Sequence, residues 1–260
     1  MIKNLKKQLN SAGNIKIGRK GEKVKTSTGN EMRLPEKIDH FLITTTEKTE
    51  SGDFVVNTEL MDAIKNDPCS LLNENGDIVG IPIRLLYDDT ELNFPTRLVK
   101  YQKGILTCEG DGETARKRVD NFKKEYPCPC DEYLKTCKAN GALTCVIDLS
   151  ELFGQVHKFR TTSINSVQGI IGGIDLIKTA TRGKIAGLPL VLTLNAKTTV
   201  IPGTGKPTKV YIVSICYRGT MQDLRQSCLE MLERDKLYFR NMEDLENEAK
   251  ESGALQIVGP

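Results

Sequence analysis

The chemistry of this chain concentrates between Cys108 and Cys145, in CEGDGETARKRVDNFKKEYPCPCDEYLKTCKANGALTC, which holds five of the eight cysteines. Cys128, Cys130 and Cys137 fall in the pattern C-x-C-x6-C, with no histidine near them. Thiolates are soft donors, and four of them suit a tetrahedral Zn²⁺ that replaces missing core. Three of the ligands are read as Cys128, Cys130 and Cys137. For the fourth the reading favours Cys108, which ends the run GILTC just before an acidic-glycine turn. Cys145 is the alternative, although it lies within the alternating strand pattern LTCVIDL, where a cysteine serves equally well as core. The plainer account of the whole group is that these are small buried hydrophobes, as free cysteines often are.

Other catalytic formats find little support. Only His40 and His157 are available, and neither has a nucleophile partner evident in the sequence. His157 sits in a strand pattern beside Phe159, as a core or surface histidine does. There is no G-x-S-x-G elbow. GTGKPT resembles a shortened phosphate loop but lies between two strands, so it reads as a hairpin turn. EGDGE, Glu109 to Glu113, offers carboxylates for Mg²⁺ or Ca²⁺ but is too short for a calcium loop, and a tight solvated turn accounts for it. A zinc hydrolase needs an open coordination position and a base. An all-cysteine site is normally closed, so the expectation is a structural metal and no catalysis.

Composition narrows the class further. At 260 residues the chain can bury a sizeable core, and a net charge of +3 is too small to imply nucleic-acid binding. The charge is uneven, with a basic start through Lys25 and an acidic stretch from Met221 to Gly253. A basic arm or Arg116 to Arg118 can meet phosphate, but solvated residues are the commoner outcome. No apolar run approaches the length of a membrane span, and MIKNLKKQLN lacks the apolar stretch of a signal peptide. A cytoplasmic protein with reduced thiols is expected.

The elements around the cysteines follow from periodicity. RLPEKIDHFLITTT reads as a strand, and Thr58 as the cap of a helix ELMDAIKND that Pro68 ends. Three apolar runs from Ile78 to Cys108, divided by Gly, Pro and Asp, carry β punctuation. ETARKRVDNFKKE is expected to form an amphipathic helix with Ala115, Val119 and Phe122 on one side. ALTCVIDL and QVHKFRTTS pair as a hairpin around LFGQ. A helix begins near Ser163 and buries Val167, Ile170, Ile171, Ile174 and Ile177. Its Gly169, Gly172 and Gly173 are expected to allow close approach to another backbone. LPLVLTLNAKTTV and KVYIVSICY form a further hairpin, the second strand covered on both faces.

Beyond it, Met221, Leu224, Cys228, Met231 and Leu232 make a helical stripe capped near Thr220, and Asn241 with Asp244 opens a second helix that Gly253 closes. The fold class expected is α+β, mainly antiparallel sheet with packed helices, an inserted zinc knuckle at about 108–145 and a helical C-terminus. The division is a core of residues 1–219 and a C-terminal segment of 220–260. Leu224, Met231, Leu232 and Leu237 are candidates for a partner-binding surface, against the plainer reading that the first helix packs on its own sheet.

Taken in order, the motifs resemble the phage recombination directionality factor-like proteins, a family also labelled hydrolase or metal-binding protein. The carriers are NIKIGRKGEKVKTSTGNEMRLPEKIDHFLIT, a CxGDGE-type turn at Cys108 to Glu113, and the cluster Cys128, Cys130 and Cys137. After these come the G-x-L strand at Gly141 to Leu143, the T-S-x-N-S helix start at Thr162 to Ser166 and L-P-L-x-L-x-L at Leu188 to Leu194. The resemblance spans about residues 14 to 217, and Cys145 departs from its pattern. It implies a non-catalytic partner of a large serine integrase that switches it toward excision, meeting DNA only indirectly or weakly. The alternatives are a phage single-stranded-DNA-binding protein, and a metal-dependent hydrolase using carboxylates such as Asp111 and Glu113.

Overall fold

The structure is a computed structural model. It describes residues 9–25, 31–102, 104–119, 122–131, 136–149, 155–200, 205, 207–238 and 242–251. It is a mixed, sheet-rich α+β fold. One path of strands runs β3 (Phe54–Val56), β2 (Glu31–Lys48), β1 (Asn10–Lys25), β11 (Gln155–Thr161), β10 (Lys138–Ile147), β6 (Thr96–Gln102), β7 (Ile105–Gly110), β8 (Thr114–Val119) and β9 (Phe122–Pro127). A second group is formed by β4 (Leu71–Leu72), β5 (Ile78–Arg84), β12 (Leu190–Val200) and β13 (Pro207–Cys216). Pairing is antiparallel except between β1 and β11, where Asn10 to Ile15 run alongside Gln155 to Phe159.

β10 joins the two groups. Its first residues pair with β6, Gly141 to Cys145 pair with β11, and Val146 and Ile147 pair with β5. Phe41, Phe159, Leu143, Ile147, Ile83 and Leu192 fill the space between the layers and are fully buried.

The clearest helix is α3, Ile164–Ala180, capped at Ser163; α1 spans Thr58–Asn66 and α2 spans Thr90–Asn93. Val167, Ile170, Ile174 and Ile177 of α3 are buried, as the spacing predicts, whereas Ile171, expected with them, is only partly buried against the core. α3 lies along β13, whose one strand partner among the described residues is β12. An unpaired strand edge leaves backbone groups open. Here Ser166 Oγ accepts from Val213 N–H at 3.2 Å. A Cβ on Gly169 would stand 2.8 Å from the Val213 carbonyl oxygen, and one on Gly173 would strike that of Ile215. Gly172 faces open space, so close approach accounts for two of the three glycines.

Three expectations need correction. ETARKRVDNFKKE is not a helix: its described residues contribute to the paired strands β8 and β9, with Ala115 opposite Tyr126 and Lys117 opposite Lys124. The spacing from Ala115 to Val119 satisfies a period of 3.6 and a period of 2 equally, and pairing with β7 decided it. The basic start is not a solvated arm over residues 10–25, which form β1. The cap of α1 is Asn57, one residue before Thr58, with Asn57 Oδ1 accepting from Leu60 N–H at 3.1 Å.

At the other end, α4 (Met221–Tyr238) and α5 (Met242–Glu251) follow β13. Thr220 and Asp223 cap α4 reciprocally: Asp223 N–H donates to Thr220 Oγ1 at 3.2 Å, and Asp223 Oδ2 accepts from Thr220 N–H at 2.8 Å. Asn241 and Gly253 lie outside the described residues.

The glycines of α3 separate packing from propensity. Gly173→Ala should destabilise the fold by about 1–3 kcal/mol through overpacking. Gly172→Ala should stabilise it by about 0.5–1 kcal/mol, since only backbone entropy changes. Urea denaturation of the two variants measures both signs.

Candidate metal centre and the thiol cluster

Cys108 lies in β7 with its position fixed by two ladders. It stands opposite Lys100 of β6 and Lys117 of β8, and Lys117 in turn stands opposite Lys124 of β9. Residues directly opposed in an antiparallel pair share a face, so three lysines and Cys108 form one row across four strands. The turn from β7 to β8 is Asp111, Gly112 and Glu113. Asp111 Oδ1 accepts from the backbone N–H groups of Glu113 and Thr114 at 2.8 Å each, and Gly112 has φ +106. These backbone donors hold the Asp111 carboxyl below its usual range. The carboxylate that a hydrolase reading would spend on a metal is engaged in closing a turn.

That turn also places the knuckle. Cys128 N–H donates to the Glu113 carbonyl at 2.8 Å, which continues the β8–β9 ladder one step beyond the Thr114–Pro127 pair. Cys128 Sγ then lies against Gly110, where a Cβ would stand 2.6 Å from the sulfur. Only a glycine leaves room for that thiol. Pro129 follows a cis peptide bond. Residues 132–135 lie outside the described residues, and Cys137 ends the segment immediately before β10.

The four thiols form an electrostatic neighbourhood. Burial pushes the Cys108 thiol up, and charge on Cys137, Cys128 and Cys130 raises it further, while Lys117 opposes them. Among the described residues the group whose ligand atoms lie within 4.8 Å of one another is Asp39, His40 and Asp77 rather than these thiols. Cys145 stands apart. It is fully buried in β10 among the core side chains, its Sγ donates to the His157 carbonyl at 3.8 Å, and burial pushes its pKa up to about 12.

The remaining candidates fall elsewhere. His157 is 1% exposed, held in β11 between Cys145 of β10 and Gly13 of β1, and burial pulls its pKa down. It is a buried core histidine. In α4, Leu224 and Cys228 are buried with the main core, and Met231 and Leu232 pack partly buried against it. Leu237 lies in the same helix, but its side chain is outside what is described. α5 is tied down by Lys250 Nζ, 2.6 Å from Asp89 Oδ2, and by Glu246 Oε1, which accepts from Asp89 N–H at 2.7 Å. The sequence reading missed Gly110 and the lysine row. Gly110 was visible only as part of a turn, and the row exists only once the strand register is known.

The scaffold that carries these thiols is a sheet-rich α+β fold. The sequence matches the model of the Gp3-like, recombination directionality factor-like family over residues 12–218. The chain belongs to that family, whose name places it in DNA recombination. No curated protein and no solved structure matches it. No helix among the described residues is long and apolar enough to cross a membrane.

Burial orders the thiols by reactivity. Cys69, Cys130 and Cys216 are exposed, whereas Cys145 and Cys228 are buried. In metal-stripped protein, mildly alkaline iodoacetamide should label the exposed three first and Cys145 last, as read by mass spectrometry.

Proposed function

We propose that the protein is a non-catalytic recombination directionality factor that binds a large serine integrase and turns it toward excision, joining attL to attR. Its scaffold is held by one structural Zn²⁺ on Cys108, Cys128, Cys130 and Cys137. The observation that carries this reading is the match to the directionality factor-like family over residues 12–218, and the charge of Cys137, Cys128 and Cys130 acting on Cys108 supports the zinc site.

The thiols fit the metal chemically. A ZnCys₄ centre carries two net negative charges, and Lys100, Lys117 and Lys124 lie in the row with Cys108 to offset them. Binding draws the sulfurs to a common centre at about 2.3 Å. That clips the segment after β9 to the β7–β8 turn and to the start of β10, so the outer strands move as one body. A closed site of this kind leaves no coordination position for substrate.

A rigid body is what the switch requires. A factor reverses the direction of a recombinase only by binding one arrangement of it more tightly than the other; equal affinity shifts nothing. The family match ends at residue 218, which supports taking 1–219 as the shared core and 220–260 as a C-terminal addition. DNA is contacted indirectly or weakly in this reading, and the working compartment is the cytoplasm of the bacterial host.

The test is recombination between attL and attR on a plasmid, with a panel of large serine integrases each paired with its own attachment sites. Recombinants should appear only when the protein is added, and Cys130→Ser should lose both zinc and the switch. Excision that proceeds equally without the protein would remove the proposal.

A further inference from the structure

We propose that Asp39, His40 and Asp77 form an open divalent-cation site, separate from the thiol cluster, that pins β2 to the turn before β5. The ligand atoms of the three side chains lie within 4.8 Å of one another. They come from different parts of the chain, so no sequence motif contains them.

The register of β1 against β2 explains how neighbouring residues reach one ion. Lys16 pairs with Leu42 and Gly18 with Lys37, so Ile38 to Phe41 stand opposite Ile17 alone. A bulge of this kind re-aims side chains out of strict alternation. Ile38 and Phe41 turn inward and are buried, while His40 Nδ1 and Asp39 Oδ1 come to 2.9 Å of each other at the rim. From the other side, the turn between β4 and β5 delivers Asp77. Asn73 Oδ1 accepts from Asp77 N–H at 2.8 Å, and Asn73 Nδ2 donates to Asp77 Oδ2 at 3.4 Å. The carboxylate is therefore oriented before any ion arrives.

One imidazole nitrogen and two carboxylate oxygens are donors of intermediate and hard character. They suit Mn²⁺ or Zn²⁺, with water completing the shell. Two carboxylates balance the charge of a divalent ion. Lys209 of β13 acts on Asp39 through its charge and opposes a cation there. The format is the reverse of the thiol cluster: open where that is closed, and hard where that is soft.

The probe is Mn²⁺, which oxygen and nitrogen donors hold and thiolates disfavour. It is titrated into the full-length, zinc-loaded protein and read by loss of the free-ion EPR signal. The wild type should bind one Mn²⁺. Asp77→Asn and His40→Gln should each weaken binding by at least about tenfold, and Asn73→Ala, which removes an outer hydrogen bond, by about tenfold. Lys209→Gln should tighten it. Circular dichroism and zinc content should stay unchanged throughout. A wild type that leaves the Mn²⁺ signal untouched overturns the proposal, as do variants that titrate like the wild type; the three residues are then an ion pair and its neighbour.

Discussion

Everything in this molecule hangs on β10. Few strands serve three neighbours: β10 pairs with β6 at its start, with β11 through its middle and with β5 at its end. The two sheet groups therefore part along one strand, and the core lies in the angle between them. That geometry demands a residue without a side chain where β6 leaves. Gly141 is that residue, and the ring of Phe94 occupies the space its Cβ would take. Phe94 is held in turn by the α2 region. There the buried Asn93 amide accepts from Leu86 and Tyr87 N–H and donates to the Tyr87 and Asp89 carbonyls, so none of its bonding capacity is left unmet.

The thiol cluster sits at the front end of the same strand. Cys137 precedes β10 directly, and Cys108 lies two strands away in β7. The proposed metal, shared by these groups, would fix the outer hairpins β7–β8–β9 relative to the strand on which both sheets depend. Among the described residues β9 ends the strand path and carries the exposed Lys124, a charge of the kind that discourages pairing with another chain. Local order at the cysteines and the global arrangement of the sheets are thus one problem.

Much of this was legible in the residues. α3, its cap region and its buried face follow from a repeated apolar spacing long enough to exclude other periods. The pairings β10–β11 and β12–β13 follow from alternation interrupted by turn residues. Cys108 was preferred to Cys145 as a fourth ligand because it ends GILTC before a turn, and the structure accordingly buries Cys145 in the core while leaving Cys108 partly exposed. What could not be read depends on partners distant in sequence. Ala115, Val119 and Phe122 suit either a helix or a strand until β7 is present. The parallel pairing of β1 with β11 leaves no local trace, because a charged sequence such as KIGRKGEKVK becomes a strand only through its neighbours. Leu224 looked like a surface for a partner and is instead spent on the protein's own core, since an amphipathic stripe does not say what covers it. The meeting of Asp39 and His40 with Asp77 requires a bulge that no residue announces.

Zinc K-edge X-ray absorption on protein purified without added metal tests the central claim most directly. The account predicts one zinc per chain with a shell of sulfur alone, at about 2.3 Å. A shell containing nitrogen or oxygen at about 2.0–2.1 Å, or protein that folds fully without zinc, would contradict it.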